Sequence, residues 1–173
     1  MIIIKNLIIA ILTLLSFIFV VSGCSSEGEA EYAGEPLTIA VVGTEPSYDF
    51  DNIQFSKVNI DDLFEEKGRY DALFVMEEMF LETSKSKYAE LYKVLPYPTF
   101  FIGLNQAYEA FIDDELTILD FEESDSIAFA QGYFKHEQSE EFWTFVPPNP
   151  LKSENDYRSI YISIFNTIDE FLY

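Results

Sequence analysis

The chain has 173 residues, with 31 Asp and Glu against 10 Lys and Arg for a net charge of −21, 17 Phe, 11 Tyr and one cysteine. So acidic a surface excludes nucleic acid as a partner, because affinity for phosphate comes from clustered basic residues, and it repels anionic lipid for the same reason. It favours cations or a basic protein partner instead, while a lone cysteine excludes an internal disulfide framework and a multi-thiolate metal site.

The first element is an apolar run from Leu7 to Val21, preceded by the single positive charge of Lys5 and closed by Val21-Ser22-Gly23-Cys24. Its 15 residues fall short of the roughly 20 that a spanning helix needs and fit the hydrophobic segment of a signal peptide. The small-small-Cys ending resembles the lipobox of bacterial lipoproteins. The resemblance implies removal of residues 1–23, a diacylglycerol thioether on Cys24, and residence on the extracytoplasmic face of the cell membrane through palmitate-like acyl chains. Two such chains anchor durably, since one alone binds reversibly. An uncleaved N-terminal anchor is the alternative, and it also puts the remainder outside the cytoplasm.

Removal of the leader leaves 173 − 23 = 150 residues, enough for one domain, with a net charge of 9 − 31 = −22. Residues 24–36 are predicted to be a lipidated acidic tether, since Ser25 to Pro36 reads SSEGEAEYAGEP with Tyr32 as its one large apolar side chain. Residues 37–173 are predicted to form a single α/β domain.

Within that domain Leu37 to Gly43 and Asp71 to Met76 are short runs dominated by apolar and β-branched residues, of the kind buried on both faces of a sheet. Ile53 to Ile60 reads as a less buried strand, Asp61 to Gly68 as a short helix with an acidic start, and Glu77 to Leu95 as a helical stretch broken near Thr83-Ser84. Pro98 to Gly103 supplies a fourth strand. Alternating strands and helices predict a mostly parallel sheet covered by helices, with right-handed crossovers.

The second half predicts a short strand in Glu115 to Asp120. An antiparallel hairpin follows, built from Ser126 to Phe134 and Glu141 to Val146 with Lys135 to Glu140 as its loop, and ended by Pro147 to Pro150. The last segment repeats Tyr157, Ile160, Tyr161, Ile164, Phe165, Ile168 and Leu172 at helical steps, with Ser153 and Asp156 as a capping pair. Its acidic polar face favours docking on the sheet over lying on a membrane.

No G-x-S-x-G, G-x-G-x-x-G or G-x-x-x-x-G-K-[ST] occurs, which removes the esterase elbow, the dinucleotide turn and the phosphate loop. The one histidine, His136, falls in the predicted hairpin loop between charged neighbours, without a nucleophile or an orienting group in its motif. The acidic groups are the remaining candidates. If the first and third strands are neighbours, Glu45 after one and Glu77-Glu78 after the other converge at the carboxyl edge, where open α/β sheets bind ligands. Asn105 follows the fourth strand there. Such oxygen ligands suit a hard cation, Ca²⁺ or Mg²⁺.

Aromatic residues give a second candidate. In a strand Trp143 and Phe145 face one side, opposite Phe142 and Thr144, and a side left uncovered is a groove for a ligand or partner. The competing arrangement covers both sides with helices. The segment Tyr70 to Gly103, YDALFVMEEMF and then KYAELYKVLPYPTFFIG, resembles single-lobe α/β segments of small lipoproteins from Gram-positive-type bacteria. The expectation is a non-catalytic, lipid-anchored binding or accessory domain. A solute-binding component of an ABC-type importer and a carboxylate-dependent hydrolase are the alternatives.

Overall fold

The computed structural model describes residues 31–66, 68–122, 128–137, 139–147 and 154–172. Six strands form one sheet: β1 (Leu37–Val42), β2 (Ile53–Lys57), β3 (Ala72–Met76), β4 (Thr99–Ile102), β5 (Ala130–His136) and β6 (Ser139–Phe145). Their order is β2-β1-β3-β4-β5-β6; the first four are parallel, and β5 and β6 add as an antiparallel hairpin. Among the described residues four α-helices accompany them: α1 (Phe80–Thr83), α2 (Ser86–Val94), α3 (Glu109–Ile112) and α4 (Glu154–Leu172). The predicted class and the predicted C-terminal helix are both present.

Side-chain alternation divides β1 between two cores. Ala40 and Val42 join Leu73, Val75 and Phe101 under α2 and α3, whereas Leu37, Ile39 and Val41 join Phe74, Phe100 and Ile102 under α4. Strands covered on both faces cannot alternate apolar with polar residues, which is why β1, β3 and β4 read as runs dominated by apolar and β-branched residues. Against the second face lie Ile160, Tyr161, Ile164, Phe165 and Ile168 of α4. The Phe165 ring is nearly parallel to Phe74, at 3° and 6.2 Å, and meets Phe50 edge-on at 4.8 Å.

Connections follow from handedness. From β1 the chain steps to β2 on one side, then returns past β1 to β3 and onward to β4. Keeping every crossover the same hand across that reversal requires the connection to change faces. It does: Tyr48 and Phe50 of the β1–β2 connection pack on the α4 face, whereas Ile60 and Leu63 after β2, and α2 after β3, pack on the opposite face.

Several boundaries differ from the sequence reading. Residues 61–68 are predicted helical, and the helix observed is a 3₁₀ turn, Ile60–Phe64, capped by Asn59 Oδ1 accepting from the Asp61 amide at 3.0 Å. Glu115 to Asp120 is not a strand: a capping box between Thr117 and Asp120 winds Ile118–Asp120 into 3₁₀ instead. The hairpin loop is tighter than predicted, because His136 already pairs with Ser139, and Glu137 stands at φ 53°. The expected break at Thr83-Ser84 is fixed by tertiary bonds. Tyr92 donates to the Thr83 carbonyl at 3.1 Å, and Ser84 Oγ accepts from the Ile118 amide at 3.2 Å.

The tether also ends sooner than predicted. Tyr32 is only 6% exposed, edge-on to Phe165 at 5.7 Å, and its hydroxyl donates to the Glu35 carbonyl at 2.8 Å. The Glu35 amide donates to Asp169 Oδ1 at 3.3 Å, and Asn52 Nδ2 donates to the Gly34 carbonyl at 3.1 Å. One buried aromatic thus pins this polar stretch to α4. Cys24, Ser153 and Pro148 to Pro150 lie outside the described residues, among which no helix is long and apolar enough to cross a membrane.

Phe165→Ala should lower the unfolding free energy by about 3–5 kcal/mol, the cost of emptying a large aromatic site in a packed core, measured by urea denaturation.

Candidate functional site

The carboxyl edge of the parallel strands is shaped by two glycines and two adjacent acids. Gly43 follows β1 at φ 122°, and Gly103 follows β4 at φ 91°, both in the region that side chains disfavour. A Cβ on Gly43 would lie 2.9 Å from Glu78 Oε1, and one on Gly103 would lie 3.0 Å from Glu77 Oε2. Neighbouring residues of a 3₁₀ turn project about 120° apart. Glu77 and Glu78 open such a turn, so they part: Glu78 leans toward β1 and Glu77 toward β4.

Glu45, Glu77 and Glu78 all follow strands at this edge, with Glu77 and Glu78 directed to different neighbours. Glu78 Oε1 accepts from the Thr44 amide at 2.6 Å, Glu45 is exposed in the loop after β1, and among the described residues no group of three or more acids, histidines or cysteines is placed to hold a metal ion. Asn105 stands half-buried in the loop beyond Gly103.

What the edge does carry is an open cleft of about 530 Å³ beside the point where strand order reverses. Its apolar surface comes from Val42, Ile60 and Met79, and its polar rim from Lys57, Asn59, Asp61, Glu82 and Tyr88. Asp61 Oδ1 accepts from the Tyr88 hydroxyl at 3.0 Å and from Lys87 Nζ at 3.3 Å. Burial raises the Tyr88 hydroxyl above its ordinary value of 10.0, so at neutral pH it remains a donor. Glu82 pairs with Lys85 and lies 3.9 Å from Lys87.

Lys57, the last residue of β2, differs from the other described lysines. Lys85, Lys87, Lys93 and Lys135 each have a carboxylate within 4.0 Å, and Lys57 has none among the described residues. A second depression of about 470 Å³ shares Glu82 and is lined by Leu81 and Leu119, which are 61% and 78% exposed.

Trp143 and Phe145 do not line an open groove. Both are half-buried against the α4 face, Trp143 at 5.8 Å from Phe100 and 5.9 Å from Phe171, and Phe145 at 5.9 Å from Phe100. Phe142 faces the other way, as strand alternation requires; it is 44% exposed and lies 4.8 Å from Tyr108. His136 is exposed at the end of β5, not in the loop, with its ring 6.2 Å from Phe134.

The cleft residues Lys57, Asn59, Asp61 and Tyr88 are the ones that sequence reasoning missed. Their signal was the Asn59-Ile60-Asp61 cap, one residue beyond a lysine that ends an edge strand.

Burial alone would raise the Glu78 carboxyl, but hydrogen bonds from its own backbone and from Thr44, with the nearby charge of Lys57, hold it below its ordinary value of 4.5. A carboxyl lowered in the folded state stabilises the fold above its unfolded value and loses that contribution as pH falls through the folded one. Glu78→Gln should accordingly flatten part of the acid limb when urea midpoints are followed from about pH 6 to about pH 3. Comparison with family models, with curated proteins and with solved structures finds no match to this chain.

Proposed function

We propose that the chain is a bacterial lipoprotein, held on the extracytoplasmic face of the cell membrane by lipid on Cys24, whose single α/β domain acts by binding and not by catalysis. The observation that carries the binding role is the cleft at the carboxyl edge. In open α/β sheets ligands collect where strand order reverses, and here β1 has β2 on one side and β3 on the other at that point. Its rim offers charges and hydrogen-bonding groups around an apolar surface, the mixture found in small-ligand sites. The rim lacks a nucleophile paired with a base, which favours holding a ligand over transforming it.

The docking of Tyr32 supports an outward-facing cleft. From Cys24 to Tyr32 the chain spans at most about 29 Å, and it then enters β1 at its amino end. Lipid on Cys24 keeps the amino edge of the sheet near the bilayer and leaves the carboxyl edge open on the far side.

In a bacterial host that processes lipoproteins, the wild-type chain should incorporate labelled palmitate and sediment with membranes. Cys24→Ser should lose the label and the tight membrane association; a Cys24→Ser chain that still sediments after an alkaline wash would replace this reading with an uncleaved anchor.

A further inference from the structure

Building on that binding role, we infer that the cleft takes a small zwitterion with an apolar body, of the chemical class of a free amino acid, whose carboxylate lies on Lys57 and whose ammonium lies on Asp61 and Glu82. The sign of the charges decides the class. A simple cation would gain from Asp61 and Glu82 but meets the ammonium of Lys57 on the same rim. A simple anion would gain from Lys57, yet faces those two carboxylates, which Lys85 and Lys87 pair with from outside the cleft lining, in a chain of net charge −21. A ligand carrying both charges satisfies both sides.

The geometry supports the assignment of each end. Lys57 is contributed by the end of β2, Asp61 by the 3₁₀ turn that follows, and Glu82 by α1. Acids outnumber bases 31 to 10 in this chain, yet Lys57 has no carboxylate within 4.0 Å among the described residues, so its ammonium is open to a ligand carboxylate. Asp61 is held through Oδ1 by Tyr88 and Lys87; Oδ2 takes no hydrogen bond from the described residues. That second oxygen can accept from an ammonium without breaking the bonds that position the side chain. The half-buried Val58 and Met79, seated on the buried Val42 and Ile60, give an aliphatic side chain an apolar surface to cover.

The test uses the full-length lipidated chain in detergent and follows its thermal midpoint with apolar L-amino acids, beginning with L-leucine, L-isoleucine and L-methionine. At millimolar concentration at least one should raise the midpoint by about 2–4 °C. Leucinamide, which lacks the carboxylate, and N-acetyl-leucine, which lacks the ammonium, should each bind about two- to fivefold more weakly than leucine, since each loses one ion pair with an exposed partner. Lys57→Ala should weaken binding by about two- to fivefold while the ligand-free midpoint stays within about 1 °C, because an exposed side chain without an ion pair adds little stability. Lys57→Arg should keep most of the affinity.

Equal binding of leucine and leucinamide, or undiminished binding to Lys57→Ala, overturns the inference. A palmitate-labelled, membrane-bound chain whose midpoint stays fixed with every amino acid overturns it alone and leaves the anchored reading standing. An unlabelled, soluble chain that leucine still stabilises supports the zwitterion site and overturns the anchor.

Discussion

One helix closes one face of the sheet, and the remaining architecture depends on that closure. Phe165 lies parallel to Phe74 of β3 and edge-on to Phe50, while Tyr32 meets it from the polar N-terminal stretch. Three segments far apart in sequence therefore converge on one ring. Because α4 seals this face and α2 and α3 seal the other, the central strands are dominated by apolar and β-branched residues, and the polar chemistry of the chain is left to the strand ends and edges. The edge strand β6 exposes Glu140 and Glu141, charges that discourage pairing with another sheet.

Handedness then places the cleft. A chain that starts in the middle of its sheet must step both ways from its first strand, and equal-handed crossovers put the two departing connections on opposite faces. They leave a gap at the carboxyl ends. Gly43 turns out of β1 there with no room for a side chain, and Glu78 ties the Thr44 amide back to the start of the next 3₁₀ turn. The opening is thus a product of topology, bordered by backbone that Glu78 holds in place. Four of the five described lysines are engaged with carboxylates, and the fifth, Lys57, stands on the cleft rim without one among the described residues.

Legibility in the sequence tracked the range of the interactions involved. The apolar runs of β1, β3 and β4 were readable because burial on both faces writes itself into consecutive residues. The α4 face was readable because Tyr157 through Leu172 recur at helical steps. The strand reading of Glu115 to Asp120 failed because a local capping box outweighed the apolar character of Leu116, Ile118 and Leu119. Tyr32 was the sole cue that a Gly- and Glu-rich stretch would dock, and a single aromatic has no periodicity to reveal its partner. Glu78 was correctly expected at the carboxyl edge, but the divergence of Glu77 needed the 3₁₀ geometry. Lys57, Asp61 and Glu82 come from three elements, and only the folded chain brings them to one rim.

The pinning of residues 32–35 has a mechanical side. In a tethered chain any tug on the N-terminus is taken first by the Glu35–Asp169 bond and the Tyr32–Phe165 contact, and next by β1. That strand is laced to β2 and β3 along both margins, so the load runs parallel to it and must shear two ladders together. An edge strand would be unzipped bond by bond under the same pull; a central one shares the strain across the sheet and moves the domain as a rigid unit.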